Sequence, residues 1–190
     1  MQLEYLENQI FKNIDYSKVK FKKGEYENCS FQNCNFSKSD ISHTSFINCK
    51  FKNCDLSSVK NIDTSFKRVE FIGCKLLGFH FDNCNEFLLS FSFDDCQLNL
   101  STFYKMKLHK TTFIKCIIHE ADFSEADLTN SVFDNCDFKD SVFDHTILEK
   151  SDFRTSYNFI IDPDSNRIEK AKFSSDNVLG LLTKYNIEIE

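Results

Sequence analysis

The chain of 190 residues has no tryptophan, one proline (Pro163) and only four glycines. So little glycine leaves no loop able to cradle a phosphate. No apolar run approaches the ~18–20 residues a membrane-spanning helix requires, so no membrane partner is expected. The first residues, MQLEYLENQIFKN, lack a basic stretch followed by an apolar one and read as no signal peptide. Positive charge is not in excess either. Lys and Arg total 23 against 29 Asp and Glu, a net charge of −6, which argues against a nucleic-acid binder with a broad basic surface. The hydrophobic fraction of 41% is enough for a core and argues against disorder.

Phenylalanine is abundant, with 22 copies, and there are nine cysteines. Large apolar residues recur at every fifth position: Phe11, Tyr16, Phe21, Tyr26, Phe31, Phe36, Ile41, Phe46, Phe51 and Leu56. After a lapse at Asn61 the series continues through Phe66, Phe71, Leu76 and Phe81. A second run holds the same period from Leu88 and Phe93 to Leu148 and Phe153, offset by two inserted residues near Asp82–Phe87. The insertion is either a plain bulge or a partner contact. Seventeen of the 22 phenylalanines fall on this series.

A period of five is neither the 3.6 of a helix nor the 2 of a strand. It suits a chain that turns a corner every five residues and sends one large side chain inward from each side. A smaller inward position lies two residues earlier, and all nine cysteines occupy it. Cys34, Cys54 and Cys74 are 20 residues apart, as are Cys96, Cys116 and Cys136. One coil is therefore four pentapeptides, and coils stack because none buries enough surface alone. The C-x4-C spacing at Cys29/Cys34 and Cys49/Cys54 is this period, not a zinc motif. Nine thiols without a signal peptide fit a reducing cytoplasm rather than a disulfide framework.

These residues resemble the pentapeptide-repeat family, whose pattern is small–Asp/Asn–Leu/Phe–x–x. ADFSEADLTNSVFDNCDFKDS, residues 121–141, matches it well. The resemblance implies an all-β, right-handed quadrilateral parallel β-helix over 11–156. SFSFDDCQLNLSTFYKMKLHKTTFIKC (90–116) and the tail IDPDSNRIEKAKFSSDNVLGLLTKYNIEIE (161–190) resemble the members that confer microcin immunity or quinolone resistance. That similarity implies a partner, DNA gyrase or topoisomerase IV, met by an acidic rod that mimics the DNA duplex. It also implies a homodimer made by a C-terminal helix and short strand. The expected function is thus non-enzymatic protection of a topoisomerase from a poison. A scaffold or adaptor with another protein partner is the alternative.

Residues 1–10 are expected to cap the first coil through Leu3, Tyr5, Leu6 and Ile10. Residues 157–190 are expected to form a turn, a helix from Ser174, Ser175 or Asp176 to about Lys184, and a strand over Ile187–Ile189. Val178, Leu179, Leu181, Leu182 and Tyr185 on that helix make the dimer interface or cap their own solenoid. Charge is uneven. Residues 1–80 hold 12 basic and 9 acidic side chains, and residues 81–156 hold 7 and 14. Asp94, Asp95, Asp134 and Asp152 recur on one side of the coil. Asp122, Glu125, Asp127, Asp137, Asp140 and Asp144 lie on the others. They form either the binding surface or ordinary turns that also aid solubility. None of the histidines, His43, His80, His109, His119 and His145, falls on an inward position. His119-Glu120 with Asp122 is the nearest approach to an acid–base group. It lacks a nucleophile and a metal motif, so no enzyme activity, cofactor or metal is expected.

Overall fold

The structure, a computed structural model, describes residues 4–188. It is a parallel β-solenoid in which each coil pairs in register with the coil 20 residues on. Glu4–Glu7 pairs with Gly24–Glu27, Ile10–Lys12 with Ser30–Gln32, and Thr112–Ile114 with Val132–Asp134. Across the insertion the offset becomes 22, with Phe71 opposite Phe93. Four sides repeat. The first is centred on Phe31, Phe51 and Phe71, the second on Phe36, Leu56 and Leu76. The third is centred on Ile41, Asn61 and Phe81, the fourth on Tyr26, Phe46 and Phe66.

The five-residue period has a simple physical origin. The centre side chain points inward, and the residue two beyond it adopts a left-handed backbone (Asn28 φ 52°, Asn48 φ 52°, Asn130 φ 60°) that turns the corner. Most of these corners are not glycine, although L-residues pay for that conformation. The corner amide offsets the cost by donating to the next coil, as Asn28 does to Ile47 (2.9 Å) and Asn48 to Lys67 (2.8 Å).

The first side carries an unbroken column of rings: Phe11, Phe31, Phe51, Phe71, Phe93, Phe113, Phe133, Phe153 and Phe173. Consecutive centroids lie 4.5–5.6 Å apart with interplanar angles of 11–29°. That spacing follows the ~4.8 Å separation of hydrogen-bonded strands. All nine cysteines are buried free thiols. Most donate to the carbonyl of the large residue one coil earlier: Cys54 to Phe31, Cys74 to Phe51, Cys96 to Phe71 and Cys136 to Phe113, each at 3.4 Å. Ser131 and Thr146 do the same at equivalent positions (2.7 and 2.9 Å). The small inward residue is thus a hydrogen-bonded tie between coils. Burial pushes the Cys49 and Cys84 thiols up to about 12, so both stay neutral.

Several expectations need correction. Leu88 is not an inward centre: it is 65% exposed with φ 58°, and Leu89 packs on the core instead. The insertion in Asn85–Asp94 pushes Phe87 and Leu88 outward and leaves the partly buried Leu89 as the large residue of the fourth side in this coil. Phe91 and Phe79, rings at positions the repeat keeps for small side chains, are buried in the neighbouring coils. Asn61, polar at a centre, is buried and donates to the His80 carbonyl (2.7 Å) and Cys84 Sγ (3.2 Å).

At the N-terminal end, Glu4–Glu7 and Ile10–Lys12 are the first coil itself rather than a separate cap. Leu6 packs on the core, whereas Tyr5 and Ile10 are exposed. Leu3 lies outside the described residues. At the other end the coil runs past 156. Bridges join Ile147 to Arg167 and Asp152 to Lys172, and Phe159 and Ile161 are buried beneath the tail.

The expected C-terminal α-helix is absent among the described residues. Two short 3-10 turns, Val178–Leu181 and Thr183–Tyr185, stand in its place. The segment is drawn too close to the solenoid to wind freely. Asn177 spends its side chain on the carbonyls of Phe153 (2.7 Å) and Ser156 (2.8 Å), and the Gly180 carbonyl accepts from Ile161 (3.0 Å). A Cβ on Gly180 would stand 2.3 Å from the Phe159 oxygen. Of the expected strand, Ile187 and Glu188 are irregular, and Ile189 lies outside the described residues.

Candidate functional site

The acidic residues of 81–156 fall into three structural kinds. Asp122, Asp127, Asp137 and Asp152 immediately precede a buried centre. In each, Oδ1 accepts the amide two residues on, from Ser124, Thr129, Lys139 and Arg154 at 2.8–3.2 Å. These carboxylates therefore build turns, as Asp40 and Asp55 do in the N-terminal half. Three of the four also hold a basic side chain: Asp127 to His109 Nε2 (2.6 Å), Asp137 to His119 Nε2 (2.9 Å) and Asp152 to Arg154 (2.8 Å).

Glu125, Asp140 and Asp95 occupy left-handed corners, φ 56°, 59° and 54°. Glu125 meets Lys105 (3.4 Å) and the Tyr104 hydroxyl (3.0 Å). Asp94, Asp134 and Asp144 follow a centre. Asp134 accepts from Thr155 Oγ1 (2.8 Å) and Asp144 lies 2.9 Å from His145. Among the described residues Asp94, Asp95, Asp122, Asp134 and Asp140 have no basic partner.

The fold does not gather all ten on one side. Its densest group lies on and beside the third side, over Phe123 and Phe143, where Asp122, Glu125, Asp140 and Asp144 come together. Glu120, a left-handed corner directly beneath Asp140, joins them. Glu120 was visible in the sequence only as a neighbour of His119; its place emerges once successive corners are stacked. Asp94, Asp95, Asp134 and Asp152 line the first side, where Arg154 offsets part of the charge. Asp127 and Asp137 lie on the fourth and second sides. His119 turns to Asp137 one coil on, so His119, Glu120 and Asp122 do not assemble into an acid–base group. Among the described residues no three His, Cys, Asp or Glu side chains could together hold a metal ion, and no helix is long and apolar enough to cross a membrane.

The turn carboxylates make stability depend on pH. The Arg154 hydrogen bond holds Asp152 below the usual aspartate value. Burial opposes ionisation of Asp127 and Asp137, but hydrogen bonds from Thr129 and His109, and from His119 and Asn158, outweigh it. A carboxyl depressed in the folded state adds stability above its unfolded value of about 4, and that stability is lost as pH falls through the lower folded value. The melting temperature should hold near pH 5 and fall below pH 4, and Asp152→Asn should shrink the fall when followed by circular dichroism.

In the C-terminal segment Leu181 packs on the core and Val178 is half-buried. Leu179 and Tyr185 are exposed at 48% and 53%. With Leu182 and Ile187 they leave an apolar patch outward, around a shallow depression that also includes Asn186.

Coils of four pentapeptides, inward rings and hydrogen-bonded small residues define a pentapeptide-repeat β-solenoid. Residues 87–157 match the family model described as pentapeptide repeat region, and residues 2–81 match one described as SV2A/B/C luminal domain. Residues 87–157 are thus a pentapeptide-repeat region, and the chain as a whole has the fold of pentapeptide-repeat solenoids. It is similar to QnrB1, a plasmid-mediated fluoroquinolone resistance protein, in a trypsin-treated variant form. Identity is 19%, coverage 100% of both chains and the TM-score 0.58. It is also similar to HetL of the cyanobacterium Nostoc, involved in heterocyst differentiation regulation, with 11% identity, coverage of 89% of this chain and 86% of HetL, and a TM-score of 0.72. No curated protein sequence matches significantly.

Proposed function

We propose that this protein acts without catalysis, as an acidic rod that docks on DNA gyrase or topoisomerase IV where the enzyme otherwise holds DNA, and so relieves a poison of the microcin or quinolone type. The observation that carries this reading is the carboxylate group over Phe123 and Phe143, made by Glu120, Asp122, Glu125, Asp140 and Asp144 on two successive coils. The whole-length likeness to a fluoroquinolone resistance protein supports it. Side chains fixed by the solenoid present charge with little entropy left to lose. Attraction to a basic DNA-binding surface would be long-ranged and weakened by salt. The reading includes a cytoplasmic site of action, since the partner enzyme works there. The test is supercoiling by purified gyrase with a quinolone present. Added protein should restore activity at low salt and lose that effect as salt rises. No interaction at low salt rejects the reading in favour of an adaptor with another partner.

The same proposal includes a homodimer through the tail. Leu179, Leu182 and Tyr185 would make the contact, while Val178 and Leu181 seal the solenoid beneath. Sedimentation should give two chains per particle for the full chain and one after Leu179→Ser with Leu182→Ser. Two chains in the variant would place the interface elsewhere.

A further inference from the structure

The hydrogen-bond ladder between coils opens on the third side at the N-terminal end. At most other places on this side the residue before a centre donates to the coil below, as Lys60 does to Ser39, Thr102 to Phe79 and Asp122 to Ser101. His80 and Asn61 also depart from this, the Asn61 side chain taking the His80 carbonyl instead. The centre itself is held by the coil above, as Ile41 is by Lys60 and Phe81 by Thr102. The corresponding bonds, Asp40 to Val19 and Phe21 to Asp40, do not form among the described residues. The cause is local. The Asp15 carbonyl accepts from both Lys18 and Val19 (3.1 Å each), and Asp15 Oδ1 accepts from the Ser17 amide and hydroxyl (3.2 and 2.5 Å). The turn therefore takes one residue more than its counterparts. Lys18 and Lys23 also lack the left-handed φ of 59° found one coil later at Lys38 and His43.

The displaced segment leaves a pocket of about 260 Å³, lined among others by Lys18, Lys20, Phe21, Lys23, Ser39 and Asp40. Ser39 is nine-tenths buried and its Oγ has no partner. Its counterparts on this side are satisfied: Ser101 donates to Leu98 (2.6 Å) and Ser141 to Ile118. The amides of Lys20, Phe21 and Asp40 are also unspent among the described residues. Lys18 pairs with Asp15 (2.9 Å) and Lys23 with Asp40 (2.7 Å), whereas Lys20 has no carboxylate partner. With Lys18 and Lys23 each paired to a carboxylate, Lys20 leaves the lining one positive charge in excess. Asp40 is itself committed: burial disfavours its charge, yet hydrogen bonds from Lys23 and Ser42 hold its carboxyl down to about 2.

We infer that this pocket binds an oxyanion, the carboxylate or phosphate group of a small molecule, through Lys20 and the unspent amides beside it. Clustered amides and ammonium groups in a concave setting favour such a group. This site is independent of the acidic surface and of the topoisomerase reading. The test is titration of the full ¹⁵N-labelled chain with inorganic phosphate and, separately, with succinate, at constant ionic strength set by chloride. Saturable shifts should appear at the amides of Lys20, Phe21 and Asp40. Affinity should fall about tenfold in Lys20→Ala, the size of one charge-assisted hydrogen bond. A response to phosphate alone assigns a phosphorylated ligand, to succinate alone a carboxylic acid, and to both the general oxyanion. No saturable shift with either probe overturns the assignment. So does binding unchanged in Lys20→Ala, which would mark an adventitious ion only.

Discussion

Phe113→Ala should destabilise the solenoid by about 3–5 kcal/mol, the range for deleting a buried ring from a core that cannot collapse. Phe113 is fully buried. It stacks on Phe93 and Phe133 at 5.0 Å each and meets the edges of Phe103 and Phe123 at 6.0 and 6.4 Å. Those neighbours are pinned by their own strands, so they cannot close the gap. The cost should spread along the rod, because each coil is stable only through the coils beside it. Asp94→Ala, an exposed change with no partner to lose, should stay within about 0.5 kcal/mol. Urea denaturation of the two variants checks this. Equal losses would mean that inward and outward positions had been confused.

The regular part of the fold was legible because one five-residue rule governs it. The rule assigned Phe113 and the nine thiols to the interior and set the coil length, since a residue out of phase would bury a charge or expose a ring. It failed where several positions satisfied it equally well. Leu88 and Leu89 are adjacent leucines beside an insertion. Which of them turns inward depends on where the two extra residues bulge, and Phe91 fills space that only the assembled coils define. The tail misled for another reason. Val178, Leu179, Leu181, Leu182 and Tyr185 have helical spacing, but the docking of Asn177 and Gly180 onto Phe153 and Phe159 draws in the backbone that a helix would need. The N-terminal opening was invisible because Lys18 and Lys23 look like any other corner residues. Their altered backbone follows from the Asp15 turn. For the acidic side chains, spacing placed each one on its side of the coil but did not reveal its neighbours. It could not separate Asp127 and Asp137, paired with histidines one coil away, from Asp122 and Asp140, which have no basic partner.

That distinction decides which carboxylates should matter for binding. Glu120→Gln, Asp122→Asn and Asp140→Asn together remove three charges per chain from the third side, none of them held by a basic side chain among the described residues. Asn preserves the acceptor that Asp122 offers to Ser124 and is tolerated at the left-handed corner of Asp140. Folding should therefore survive. If the acidic rod occupies a DNA-binding surface, gyrase affinity should fall by at least about tenfold, and its dependence on salt should flatten, because fewer carboxylates face the basic surface. Asp127→Asn with Asp137→Asn should matter less to binding, because His109 and His119 already engage those carboxylates. Asp15→Asn with Asp55→Asn should matter least, since residues 1–80 hold 12 basic against 9 acidic side chains. Fluorescence anisotropy across a salt series measures all three sets. A triple variant that binds as tightly as the parent, with the same salt slope, would reject the carboxylates over Phe123 and Phe143 as the contact, even if the protein still bound gyrase by another face.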